Sequence, residues 1–197
     1  MDTLEYIKSK YGCSGDITYP FEVKSLDRKL LANLFAELGF TVGCEVGVRN
    51  GDNALHLLSV VPGLKMYLVD PYTMYDSSPS TTAERHQSRF KKAQEKTKNY
   101  DAVFIRKYSM EAVKDIPELS LDFVHIDGDH SSDLVMQDLL EWSKRVKAGG
   151  IVSGHDYCEG QQGEVKDAVD AYIREHNISC WFRCDVSTYF WVKGFQI

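Results

Sequence analysis

From residue 42 onward, apolar positions alternate with polar ones in short runs. Runs of strand length stand at 42–48 (VGCEVGV), 65–70 (KMYLVD), 101–107 (DAVFIRK), 120–127 (SLDFVHID) and 150–155 (GIVSGH). Stretches of helical spacing separate them, at 51–60, 82–98, 109–115 and 132–147. Strands that alternate with helices imply right-handed βαβ units on a parallel sheet. The tail breaks the rhythm. A helical pattern at 161–176 is followed by SCWFRCD and TYFWVKG, only a few residues apart. A connection that short requires an antiparallel hairpin. Upstream, two helical patterns, 2–10 and 26–38, flank the irregular stretch YGCSGDITYPFEV, and Gly39 suits a helix stop. The expectation is one α/β domain over 1–197. It has an N-terminal helical cap at 1–40 and a core at 41–197 of five parallel strands, a sixth, and an antiparallel last one.

Open α/β sheets bind ligands outside the carboxyl ends of their strands. Here those ends read EVGVRNG, VDPY, RKYSMEA, HIDGDH and GHDY, whereas the strand beginnings carry almost no polar or glycine chemistry. In the first, Gly47 and Gly51 let the backbone pass close to a ligand, and the helix that follows favours an anionic group. It is not the dinucleotide fingerprint, because Arg49 stands at the middle glycine. Glu45 would repel a pyrophosphate and suits an ammonium group; the plain alternative is a tight turn. Asp70, 23 residues after Gly47, can accept hydrogen bonds from both ribose hydroxyls, or it can cap a turn before Pro71. An ammonium site beside a ribose site suggests a nucleoside that carries an amino acid, and S-adenosylmethionine is such a molecule. The fourth strand runs from Phe123 to Ile126 and stops in Asp127-Gly128-Asp129-His130. Charges at the end of a buried strand cost desolvation unless a metal, a substrate or a proton-transfer role offsets it.

Taken jointly over residues 30–195, these motifs resemble the class I S-adenosylmethionine-dependent methyltransferases. Within that class the chain is similar to the small methyltransferase-domain family, related to metal-dependent O-methyltransferases of the catechol, caffeoyl-CoA and macrolide-sugar types. The resemblance implies a Rossmann-like seven-stranded sheet in the order 3-2-1-4-5-7-6, with strand 7 antiparallel and helices on both faces. It implies cofactor contacts at Glu45, Gly47, Gly51, Asp70, Ser109, Met110 and Asp127, with Ser109 and Met110 near the adenine. It implies Mg²⁺ on Asp127 and Asp156. The catechol relatives follow the second aspartate with asparagine, whereas this chain has Tyr157, so the third ligand stays open between Asp129, water and none. His130 stands where the catechol relatives carry a lysine base and the macrolide-sugar relatives a histidine. A neutral imidazole there can take a hydroxyl proton. As alternatives His130 caps a helix or donates a supporting hydrogen bond, His155 competes for the catalytic role, and either histidine could instead be a metal ligand.

Of the other histidines, His125 is expected to pack, and His56, His86 and His176 to be solvated. The polar segment 72–90 has two readings, a lid with Tyr72, Tyr75 and Arg85 as acceptor contacts or ordinary surface, and DITYPFE likewise either covers the pocket or is plain surface.

Composition narrows the partners. The chain has 197 residues, 43% hydrophobic and 26% charged, as soluble globular proteins do. A net charge of −6 gives no basic surplus to neutralise phosphates, so nucleic acid is not the expected main partner. No apolar stretch approaches the ~20 residues that span a bilayer, and the N-terminus lacks a signal-peptide core. The expected setting is cytoplasmic, without membrane, with a small-molecule acceptor as partner; a homodimer is compatible with this pattern. Five cysteines match no zinc or disulfide spacing and read as reduced thiols. The rival readings are a hydrolase- or hydroxylase-like metal enzyme that uses Asp127, Asp129, His130, His155 and Asp156 without the cofactor, and a cofactor-binding protein without methyl transfer.

Overall fold

The computed structural model describes residues 2–13, 20–24, 26, 29–73, 82–158, 163–184 and 187–194. Eight strands form one sheet: β1 (Phe21–Val23), β2 (Val42–Val46), β3 (Lys65–Val69), β4 (Asp101–Ile105), β5 (Leu121–Ile126), β6 (Val146–Gly154), β7 (Trp181–Cys184) and β8 (Thr188–Val192). Their order is β1-β7-β8-β6-β5-β2-β3-β4. From the β4 edge, the first seven reproduce the order 3-2-1-4-5-7-6. The last strand, β8, is antiparallel to both β6 and β7, as the short tail connection demands.

The eighth strand was not expected. Phe21–Val23 lies parallel to β7, with Phe21 opposite Phe182 and Val23 opposite Cys184. Phe21 and Glu22 of DITYPFE therefore extend the sheet edge; residues 16–19 lie outside the described residues, as does Tyr75.

The helices are α1 (Thr3–Tyr11), α2 (Leu30–Glu37), α3 (Asp52–Val60), α4 (Ala83–Thr97), α5 (Ser109–Ala112, continued by a 3-10 turn to Asp115), α6 (Ser132–Ser143) and α7 (Gly163–Glu175). Successive strand residues point to opposite faces, and each face has its own core. Phe123, Met66, Leu68, Ile151 and Phe190 pack with residues of α1–α4. Val124, Cys44, Val46, Val152 and Trp191 pack with α5–α7. Phe35 of α2 stacks on Phe123 with ring centroids 4.2 Å apart. The helical spacing that runs to residue 147 is cut short: α6 ends at Ser143, and Val146 opens β6 opposite Leu121. No helix among the described residues is long and apolar enough to cross a membrane.

Asp122 fixes the start of β2. Its Oδ2 accepts from the backbone N–H of Thr41 (2.7 Å) and Val42 (2.9 Å), and Lys147 Nζ donates to Oδ1 at 2.6 Å. Burial alone would raise this carboxyl, but the three donors outweigh it and hold it below its ordinary value. Asp122→Ala is expected to cost about 1–3 kcal/mol in urea denaturation, the penalty for stranding such donors. Because the folded value is depressed, this contribution is present above the unfolded carboxylate range and is lost as pH falls through the folded value. An unchanged denaturation midpoint would show that water replaces the carboxylate at no cost.

Candidate active site

The strand ends surround a cleft of about 970 Å³, lined by Glu45, Gly47, Asp70, Asp127, His130, His155 and Asp156 among others. At the end of β2, Glu45 is 1% exposed, and Asn53 Nδ2, from the first turn of α3, donates to its Oε1 at 3.0 Å. Asn53 was not singled out by the sequence motifs. Its signal is positional, two residues past Gly51 in the turn that opens α3. Gly47 stands where the loops of three strands meet. Its φ is +91°, and a Cβ there would lie 1.9 Å from the Asp127 carbonyl oxygen. Only glycine lets the β2 loop pass this close to the β5 loop. Gly51 caps α3 and lies against Ala93 of α4.

Asp70 fills the role of turn holder while it lines the cleft. Its Oδ2 accepts from Arg49 N at 2.9 Å and its Oδ1 from Tyr72 N at 2.8 Å. Both donors have left-handed backbones, with φ +52° at Arg49 and +49° at Tyr72. A carboxylate has roughly four lone-pair sites, so two remain for ligand hydroxyls. Burial raises the Asp70 carboxyl, and the two N–H donors partly counter this.

The second half of the cleft holds the acids and histidines. His130 Nε2 lies 3.0 Å from Asp156 Oδ2, and His155 Nδ1 lies 3.1 Å from Asp156 Oδ1. Ser187 Oγ is 3.0 Å from His155 Nε2, so both ring nitrogens of His155 have partners. The two histidines hold the Asp156 carboxyl well below the usual carboxylate range. In return, the hydrogen bond to Asp156 raises His130; burial opposes this, and Asp156, Asp127 and Asp129 add to it. Asp156 takes a left-handed φ of +62°, a strained conformation for an aspartate. Asp127, His130 and Asp156 each offer one donor atom within 4.8 Å of the others. Two carboxylates and an imidazole in that space fit a divalent cation.

Other expectations separate here. Asp129 lines the cleft, and its Oδ1 accepts from Ser131 N at 2.9 Å. Ser109 is committed elsewhere: its hydroxyl donates to Asp138 and accepts from Trp142 Nε1 at 2.7 Å. Met110 packs against the core of its own face. His125 is buried, with Nδ1 3.1 Å from Ser153 Oγ, as packing predicts. His86 corrects its expectation: it is buried in the cleft wall rather than solvated, because α4 turns that face onto the strand ends. Burial and nearby Arg89 lower its imidazole. Arg89, not Arg85, lines the cleft, and Tyr72 turns inward to pack on Phe90 at 4.9 Å.

Comparison with known proteins agrees with this geometry. Residues 44–157, more than half of the chain, match the family described as "Methyltransferase domain". No curated protein matches. Among solved structures, a putative caffeoyl-CoA O-methyltransferase from Staphylococcus aureus superposes with a TM-score of 0.64 at 11% identity, covering 97% of this chain and 90% of that one. The O-methyltransferase NovP gives 0.58 at 18% identity, covering 85% and 78%. A putative rRNA-methylase from Clostridium thermocellum gives 0.59 at 15% identity, covering 84% and 96%. At such identities these three show the shared fold alone. The family match over the strand ends that build the cleft shows more: the chain belongs to the methyltransferase-domain family, as a class I S-adenosylmethionine-dependent methyltransferase.

Proposed function

We propose that this methyltransferase moves the methyl group of S-adenosylmethionine to a hydroxyl oxygen of a small acceptor, with Mg²⁺ held by Asp127 and Asp156. One observation carries the reading. The Glu45 and Asp70 carboxylates sit in the same cleft as the Asp127–His130–Asp156 cluster, so a donor site adjoins a cation and base site. That two structural neighbours are described as O-methyltransferases supports an oxygen acceptor.

Glu45 would take the ammonium of the methionine part, and the open lone pairs of Asp70 the ribose hydroxyls. A bound Mg²⁺ would supply positive charge to the acceptor oxygen. His130, with Nε2–H donating to Asp156, presents Nδ1 as the atom that takes the hydroxyl proton. The cleft contributes by holding donor and acceptor in line.

The test is cofactor affinity by calorimetry. Glu45→Ala and Asp70→Ala are each expected to weaken S-adenosylmethionine binding by roughly 1.5–3 kcal/mol, the worth of a hydrogen bond to a charged group. Asp70→Ala should also lower the melting temperature, since Asp70 holds two left-handed turns. Unchanged affinity in both folded variants would refute the cofactor assignment.

A further inference from the structure

β4 ends the sheet on the side opposite β1, and no strand among the described residues pairs with its outer side. An open edge offers a row of N–H and C=O groups to another chain, and proteins blunt such edges with shortness, charge or a covering element. The β1 edge is blunted: it is three residues long and carries Glu22 beside Arg183. The β4 edge is five residues long and apolar at its flanks. Tyr100 is 40%, Val103 38% and Tyr108 48% exposed, so three of the six exposed large apolar side chains among the described residues fall within nine positions. The other three, Leu30, Leu119 and Leu134, are spread over α2, the turn before β5 and α6.

The two faces of β4 differ. Ala102 and Phe104 turn toward α1–α4, where Phe104 meets Phe90 of α4 with ring centroids 5.4 Å apart. Val103 and Ile105 turn to the other face. There the chain passes directly into α5, a helix of only four residues, and Val103, in register with Tyr67 of β3, is left open. Charge along the edge is ordered as well. Asp101 opens the strand, Arg106 and Lys107 follow its end, and all three are exposed. Lys107 Nζ donates to Asp115 Oδ2 at 2.6 Å, and an ammonium has three donors, so it can serve a second carboxylate.

We infer that the β4 edge joins a second copy of this chain about a two-fold axis normal to the sheet, which makes one continuous sheet of the two. Strands paired by such an axis run antiparallel, and residues that stand opposite share a face. The segment YDAVFIRKY, Tyr100–Tyr108, is complementary to its own reverse. With Phe104 on the axis, Val103 stands opposite Ile105, Asp101 opposite Lys107, and Tyr100 toward Tyr108. Apolar, opposite-charge and aromatic pairs across strands each stabilise a sheet. A parallel copy would instead set Asp101 against Asp101. Because the joined strands run in opposite directions, the two clefts open at opposite ends of the shared sheet, and neither obstructs the other.

Sedimentation velocity on the full chain, over a concentration series, tests this. The parent is expected to pass from monomer to dimer as concentration rises. Asp101→Lys and Lys107→Glu each set like charges opposite one another at two symmetric places, and each is expected to weaken the dimer by about tenfold or more. Both positions are exposed, so the core is untouched. Mixed in equal amounts, the two variants are expected to associate again, because every charge at the seam then meets its opposite. A parent that stays monomeric at every concentration would overturn the proposal. So would single variants that dimerise as the parent does, or a mixture that associates no better than its components.

Discussion

His130→Ala is expected to slow methyl transfer by about 10²–10⁴-fold, the usual contribution of a positioned general base. Cofactor affinity should stay nearly unchanged, because His130 stands with Asp156 and not with Glu45 or Asp70. The pH profile identifies the group. A base works when neutral, and its three acidic neighbours favour the charged form, so the acidic limb should lie above the ordinary histidine value of about 6.5. A cation on Asp127 and Asp156 would offset their charge and move the limb down. In the metal-free protein the same interaction acts on stability with the opposite sense. A raised histidine stabilises the fold below its unfolded value, and that stabilisation is lost as pH rises through the folded value. His155→Ala is the control. Both its ring nitrogens are engaged, by Asp156 and Ser187, so it should shift the limb but not remove it. Loss of the limb in His155→Ala and its survival in His130→Ala would reverse the assignment.

Removing divalent cations with excess EDTA is expected to abolish turnover, and Mg²⁺ should restore it. Positive charge at the acceptor oxygen is worth several kcal/mol of transition-state stabilisation, more than any single neutral contact in the cleft. Asp127→Asn should mimic the loss even at saturating Mg²⁺. The imidazole in the donor set adds a second readout. Mg²⁺ prefers oxygen ligands, whereas imidazole suits transition metals better. If His130 is the base, His130→Ala keeps the cation affinity of the parent. If it is a ligand, that affinity falls as it does in Asp156→Ala. Full turnover in EDTA would mean that the aspartates serve only to orient the histidines.

The sheet was readable because its central strands are buried on both faces and so appear as dense apolar runs. The antiparallel β8 was readable because the gap before it admits no crossover. Strand β1 was hidden: three residues at a sheet edge leave no periodicity to detect, and their partner lies far along the chain. The end of α6 was overrun because Val146 falls at helical spacing from Leu139 and Trp142, although it pairs with Leu121. At the site, the residues that end strands were legible, since topology sends every strand end to the same place. His86, Arg89 and Asn53 were not, because a helix pattern does not tell which polar residues turn toward a cleft.

Strand β1 bears on how the chain is made. Phe21 pairs with Phe182 and Val23 with Cys184, so one segment waits for a partner made far later along the chain. At 5–20 residues per second, the delay on a ribosome is about 10–30 s. Until then Val23 and the residues packed in the same core, Ile7 and Cys13 among them, have no completed sheet to cover them. That interval exposes sticky surface to chaperones and to other nascent chains. A chain stopped before Trp181 would never leave it, and should be cleared by proteolysis or aggregate even with the strands around the cleft already in place.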